Sequence, residues 1–121
     1  MSKKIFICED NIYVLNALLE VLSVTGADLL TEQDSTLAME GILRFSPDIL
    51  ICDIQMPRVS GTDLIRSIRK SDVLRDVFIL CISASHNGRE IAMFAGADAF
   101  LEKPFDIDDF LAALPIGPTI C

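Results

Sequence analysis

The sequence predicts an α/β fold of the doubly wound kind, a (βα)5 sandwich in which a five-stranded parallel sheet carries helices on both faces. Three observations point there. Four short apolar runs, Ile5 to Cys8, Ile49 to Cys52, Val77 to Ile82 and Ala99-Phe100-Leu101, do not alternate with polar residues, as expected of strands buried on both sides. Between the runs stand helical stripes, with apolar residues at i, i+3, i+4 and i+7. The connections are short, and repeated βα units with short connections imply right-handed crossovers and an open sheet.

Taken in order, Ile5 to Cys8 is the first strand, and Leu15, Leu18, Leu19 and Leu22 form the stripe of the first helix. Gly26 is placed to end that helix in a left-handed conformation. A weaker strand, Ala27 to Thr31, has the polar surroundings of a sheet edge. Ser35 is placed to cap the second helix, whose stripe is Ala38, Gly41, Ile42 and Phe45. The third strand, Ile49 to Cys52, precedes a shorter stripe at Leu64, Ile65 and Ile68, and the fourth, Val77 to Ile82, precedes Ile91, Ala92 and Ala95. After Ala99 to Leu101, Asp106 with Asp109 resembles a capping box for a last helix built on Ile107, Phe110, Leu111 and Leu114. Pro115, Gly117 and Pro118 stop it soon afterwards.

With 121 residues, 51% of them hydrophobic, the chain is expected to be one domain, residues 1–121, with its core at about 4–114 and a tail or truncated linker at 115–121. Ten basic residues against 18 acidic ones give a formal charge of -8, spread along the chain, which argues against direct contact with nucleic acid. The apolar run after Lys4 is too short for a signal peptide or a membrane helix, so a soluble, cytoplasmic protein without membrane contact is expected. Cys8, Cys52 and Cys81 lie in or at the ends of apolar runs at no metal-ligand spacing, and read as small buried hydrophobes; Cys121 is uninformative.

The chemistry lies at the carboxyl end of each run. Glu9 and Asp10 come after the first strand, Asp53 after the third, Ser83 after the fourth, and Glu102 and Lys103 after the last. In a parallel sheet these positions share the carboxyl-terminal edge, where doubly wound folds place their ligands. Three carboxylates in one crevice repel by roughly 4 kcal/mol per pair at about 4 Å and an effective dielectric near 20. A hard divalent cation relieves that repulsion: Mg²⁺, with Mn²⁺ as an alternative, takes one or two carboxylates and then accepts phosphate oxygens. A carboxylate beside Mg²⁺ and a lysine is set up to attack phosphorus, and Asp53, ending a central strand, is the best nucleophile candidate. Glu9 and Asp10 would then hold the metal, Ser83 would hydrogen-bond the phosphoryl group and Lys103 would ion-pair with it.

The acidic pair Glu9-Asp10, the segment Asp53-Ile54-Gln55-Met56-Pro57 with Gly61 after it, Ser83-Ala84, Gly96-Ala97-Asp98, and Phe100-Leu101-Glu102-Lys103-Pro104-Phe105 together resemble the receiver domains of two-component response regulators. The resemblance covers about Lys4 to Leu114. It implies a flavodoxin-like sheet of order 2-1-3-4-5. Asp53 matches the phosphoacceptor, Asp10 a direct metal ligand, Glu9 a ligand acting largely through water, and Gln55 the position whose backbone carbonyl binds metal. Ser83 and Lys103 match the phosphoryl-sensing positions, and Phe100 matches a switch aromatic that changes its burial as the hydroxyl residue moves. The peptide between Lys103 and Pro104 is cis in the family. The implied partners are a sensor histidine kinase or phosphotransfer protein as donor, and a downstream protein or an output domain beyond Cys121. Gln55 and Ser85 should border the path of attacking water. Two features depart from the pattern: the segment from Ser83 to Gly96 is about two residues shorter than the family's, and the last helix is short.

Other readings compete. Asp10 has a second reading as the cap of the first helix, Phe100 as an ordinary core aromatic, and the lone His86 as a surface-loop residue. Haloacid-dehalogenase-like phosphatases place a second Asp two residues after the nucleophile, whereas this chain has Gln55 there. A flavodoxin-like cofactor binder lacks support, because Glu9-Asp10 would repel a phosphate where a Gly- or Ser/Thr-rich loop is needed. The expectation is a switch that catalyses its own phosphorylation and hydrolysis without being a turnover enzyme. Its alternative is a pseudo-receiver, a protein-binding module that is not phosphorylated.

Overall fold

The apolar runs form five parallel strands, β1 (Lys4–Cys8), β2 (Asp28–Glu32), β3 (Ile49–Asp53), β4 (Phe78–Ser83) and β5 (Ala99–Glu102), in a computed structural model that describes residues 2–116. They lie in the order β2-β1-β3-β4-β5, so the weakest strand is an edge and the three most apolar strands are central. The helices are α1 (Ile12–Leu22), α2 (Ser35–Phe45), α3 (Gly61–Lys70), α4 (Gly88–Ala95) and α5 (Ile107–Ala112).

Alternation along the strands sorts the core into two layers. Ile5, Ile7, Ile49, Ile51, Leu80 and Ile82 face α1 and α5, meeting Leu15, Leu18, Leu22, Phe110 and Leu114. The intervening residues, among them Phe6, Leu50 and Ile79, meet α2, α3 and α4 through Ile42, Leu64, Ile65, Ile68 and Ala92. Cys8, Cys52 and Cys81 are in register on the three central strands, buried and unpaired by disulfide, as their apolar surroundings predict. Cys121 and the tail from Gly117 onward lie outside the described residues.

Several boundaries differ from the sequence expectation, each for a local reason. Asp28 N–H bonds Lys3 O at 2.8 Å and begins the β2 ladder, so Ala27 stays in the preceding turn. Val77 N–H closes a turn onto Leu74 O at 3.0 Å, which delays β4 by one residue and makes Ser83 its last. The first helix ends at Leu22 in a single 3₁₀ turn, Ser23–Thr25, and it is this turn that Gly26 closes at φ 78°. Ser35 does not cap α2: Asp34 does, its carboxylate accepting from Thr36 N–H at 2.9 Å, and Ser35 is the first helical residue. Asp106 caps α5 as expected, accepting from Asp109 N–H at 2.8 Å. That helix has only six residues, so Ile107 is 57% exposed while Phe110 and Leu114 reach the core.

At the amino edge of the sheet, Arg69 at the end of α3 gathers three elements. Its Nε donates to Gly96 O at 2.8 Å, Nη1 to Arg75 O and Val77 O at 2.7 Å each, and Nη2 to Asp98 Oδ2 at 2.7 Å. The same Asp98 oxygen accepts from Ile79 N–H at 2.8 Å.

At the opposite edge, Gly61 lets α3 begin against the end of β3. Its N–H bonds Ile54 O at 2.9 Å, and a Cβ added there would stand 2.1 Å from Asp53 O. Gly61→Ala therefore has to push the β3 end and α3 apart. The expected cost is roughly 1–3 kcal/mol of unfolding free energy in urea titration, the range of overpacking a tight site; an unchanged midpoint would show that the two backbones are not held so closely.

Candidate functional site

Glu9, Asp10 and Asp53 converge because β1 and β3 are neighbours in register, Cys8 beside Cys52, and the chain turns outward one residue later on both. Each of the three carboxylates offers an oxygen, and these oxygens lie within 4.8 Å of one another. Glu9 is wholly buried at 0% exposure, Asp53 is 6% exposed and Asp10 faces solvent.

Lys103 arrives from β5, and its Nζ bonds Asp53 Oδ2 at 2.7 Å and Glu9 Oε1 at 3.1 Å. The peptide after it, Lys103-Pro104, is cis, as the family resemblance implies. Asp53 Oδ1 accepts from Gln55 N–H at 3.0 Å, and Glu9 Oε2 accepts from Asn11 N–H at 3.2 Å. Among the described residues, no protein donor takes the Gln55 carbonyl and no hydrogen bond or ion pair occupies the Asp10 carboxylate.

The helix-cap reading of Asp10 does not hold. Asn11 is the cap of α1, its Oδ1 accepting from Tyr13 N–H at 2.9 Å and Val14 N–H at 3.2 Å, which leaves Asp10 for the crevice. Sequence reasoning missed Asn11, although Asn is among the strongest capping residues and stands one place before the apolar stripe begins. His86 is exposed, in the turn before α4.

Ser83 and Phe100 stand slightly apart. Ser83 is buried at the end of β4, and its Oγ accepts from Ser85 N–H at 3.2 Å; no described bond joins it to Asp53. Phe100 is buried beside it, under the first turn of α4. A Cβ on Gly88 would come within 2.7 Å of the Phe100 ring and 3.4 Å of Ser83 Cβ, so the missing side chain is what admits the ring. Arg89 covers the outer side, its guanidinium 5.5 Å from the ring centre and Nη2 3.4 Å from Phe100 O. The ring is packed on both sides, which accommodates the core and the switch readings alike.

The electrostatics derive from this packing. Burial raises the pKa of Glu9, with the nearby Asp53 charge adding to the rise, against the opposing pull of Asn11 N–H and Lys103. For Lys103, burial alone would lower the pKa, but its bonds to Asp53 and Glu9 prevail and raise it. Burial also pushes the Cys8 thiol up to about 12, with Glu32, Glu9 and other carboxylates adding to it. The Cys8 thiol beneath the site is therefore un-ionised at neutral pH, and the buried carboxylates of Glu9 and Asp53 lie next to that apolar floor.

The donor set suits a hard divalent cation. Three carboxylate oxygens and a carbonyl without a protein donor offer oxygen alone, and one ammonium only partly offsets their charge. A catalytic hydroxyl or imidazole triad is not assembled here, since Ser83 bonds within its own loop and His86 lies on the surface.

Comparison with known proteins agrees with this geometry. A family model for the response regulator receiver domain matches residues 5–115. Response regulator MprA of Mycobacterium ulcerans is 32% identical over 114 residues, covering 94% of this chain and 49% of that protein. The chain spans about half the length of the curated relatives it matches. The solved structure of a response regulator receiver domain protein from Clostridium thermocellum superposes with a TM-score of 0.82 at 27% identity, covering 92% of this chain and 90% of that one. The chemotaxis protein CheY4 of Vibrio cholerae shares the fold at TM-score 0.84 and 22% identity, covering 93% and 95% of the two chains. Among the described residues, no helix is long and apolar enough to cross a membrane.

The pKa directions fix a pH dependence. A folded value for Glu9 above its ordinary 4.5 means that its contribution to stability is fully present below that pH and is lost as pH rises through the folded value. Lys103 behaves the same way around 10.5, so its contribution is intact at neutrality. Glu9→Gln removes the first titration. In urea titrations with a chelator present, the stability of the variant relative to wild type should increase as pH rises from below 4.5 to neutrality; a difference independent of pH would show that Glu9 ionises as readily in the fold as in the unfolded chain.

Proposed function

The chain belongs to the response regulator receiver domain family of two-component signalling, and from that premise we propose that it accepts a phosphoryl group on Asp53 and transmits the event as a change of conformation. The observation that carries this reading is the carboxylate of Asp53 itself, bonded by Lys103 at 2.7 Å and grouped with the oxygens of Glu9 and Asp10.

Each residue then has a task. Glu9, Asp10, Asp53 and the Gln55 carbonyl would hold Mg²⁺, or Mn²⁺ in its place, which when bound would supply positive charge to the phosphoryl oxygens and to the crowded carboxylates. The donor is a phosphohistidine on a sensor histidine kinase or phosphotransfer protein. An Asp53 oxygen forms the new bond to phosphorus as the phosphorus–nitrogen bond breaks, and the imidazole keeps the electron pair and takes up a proton. Gln55 N–H holds the carboxylate in place through Oδ1. Lys103 neutralises charge on the transferring group without having to travel, because its ammonium is already on Asp53.

Ser83 Oγ accepts from Ser85 N–H, which leaves its own hydroxyl proton free to donate to a phosphoryl oxygen. That movement would draw on the loop between β4 and α4, whose first helical turn covers Phe100. The ring starts buried, so a switch acting through it starts from the inward position. The readout is a shift of population between two conformers, delivered to a downstream protein or to an output domain. Such a chain works in the cytoplasm as a switch, and its hydrolysis of the acyl phosphate only resets it.

Intact-protein mass after incubation with acetyl phosphate and Mg²⁺ tests the reading. One phosphoryl group should be gained, none by Asp53→Asn, and none when a chelator removes the metal. Lys103→Met should lower the rate roughly 10²–10³-fold, as for loss of one preorganised charge-stabilising donor. If wild type gains no adduct and binds no beryllofluoride, the chain is a pseudo-receiver that docks proteins without being phosphorylated.

A further inference from the structure

Outside the acidic cluster, Ser35 at the start of α2 reaches across to the loop between β3 and α3. Asp34 takes the capping role on α2, so the hydroxyl of Ser35, buried at 4% exposure, is free for a contact far along the chain. Its Oγ donates to Pro57 O and accepts from Val59 N–H at 3.1 Å. Both partners belong to the loop between β3 and α3, the loop that carries Gln55.

That loop bends sharply where Ser35 holds it. Val59 N–H also reaches Pro57 O at 2.9 Å, closing a three-residue turn around Arg58, which stands at φ 71° in the left-handed region that a residue with a side chain disfavours. The Arg58 guanidinium is drawn to Asp34 at 3.3 Å, so two adjacent residues at the start of α2 grip successive parts of one turn. On the other side of Gln55 the chain is fixed by Ile54 N–H on Ile82 O at 3.3 Å and by Gln55 N–H on Asp53 Oδ1. Met56 is pinned as well, buried with its Sδ accepting from Cys8 Sγ at 3.5 Å. Gln55 thus spans two anchored points, and the farther anchor is a turn whose backbone does not favour its own conformation.

We propose that Ser35 is a positioning residue for the metal site, setting the Gln55 carbonyl by holding the Pro57 to Val59 turn. This rests on the reading of Asp53 and its neighbours as an Mg²⁺-dependent phosphoacceptor site, but it names a residue outside that set. Ser35 touches neither metal nor phosphoryl group. Outer partners of this kind are worth about 10- to 100-fold in metal affinity.

The test is calorimetric titration of the metal-free protein with Mg²⁺ alone, for wild type, Ser35→Ala and Ser35→Thr, with circular dichroism to verify the fold. Ser35→Ala should weaken Mg²⁺ binding about ten-fold. Its final phosphoryl occupancy from acetyl phosphate should return to the wild-type level at saturating Mg²⁺, while Ser35→Thr, which keeps the hydroxyl, stays within about two-fold of wild type. Unchanged affinity in folded Ser35→Ala, or equal weakening in both variants, would overturn the proposal. Should Ser35→Ala not fold, wild type decides by NMR: the Val59 amide must shift with the same Mg²⁺ midpoint as Gln55, and an unmoved Val59 overturns it. Absence of Mg²⁺ binding by wild type would instead refute the underlying reading of the site.

Discussion

Lys103 joins two carboxylates that repel each other, and much of the carboxyl edge is arranged around making that contact. An ammonium group at the end of β5 must reach past β4 to the ends of β3 and β1, so the order of the central strands and the turn after Glu102 are conditions for it. Burial makes the contact matter. Two exposed partners would gain little from pairing, whereas Glu9 is removed from water, which raises its pKa, and Asn11 N–H and Lys103 pull against that rise. The carboxylates are therefore held together at a cost that the protein itself offsets only in part, and a site in that condition favours any hard cation that enters.

The sheet explains how so much charge can stand on an apolar molecule. Side chains alternate between the two layers until the last residue of each central strand, and then the chain changes character at once. Cys52 is followed by Asp53, and Cys8 by Glu9. The three thiols lie across β1, β3 and β4 as small, buried groups, with Cys8 far from ionising at neutral pH. Charge deeper in the sheet would have no partner; charge one residue later meets Lys103.

What was legible in the sequence is what depends on local pattern. The strands, the stripes of α1 to α3 and the acids at the strand ends are visible because burial on both faces, helical period and a parallel sheet leave little freedom; of the α4 stripe Ala92 and Ala95 are buried, while Ile91 faces solvent. The errors fell where two neighbouring residues could do one job. Asp34 and Ser35 are both good caps, as are Asp10 and Asn11, and the choice between them is made by partners 20 or more residues away or by the geometry of the crevice. Ile107 fits the periodic stripe of the last helix, but six residues make too little helix to turn all four stripe positions inward. Arg69 carried no signal at all. Its role depends on carbonyls of Arg75, Val77 and Gly96, and backbone groups look alike in every sequence.

The Arg69 contacts have a mechanical meaning for α4. That helix is tied at its last turn, where Arg69 grips Gly96 O and the neighbouring Asp98, while its first turn rests on a phenyl ring and a small hydroxyl residue. The charged grip is at one end and the apolar packing at the other, so any tilt of the helix would be hinged at the gripped end. Travel in such a tilt would be greatest near Gly88 and Arg89 and least toward Gly96, which puts the fulcrum at the amino edge of the sheet, opposite the acidic crevice.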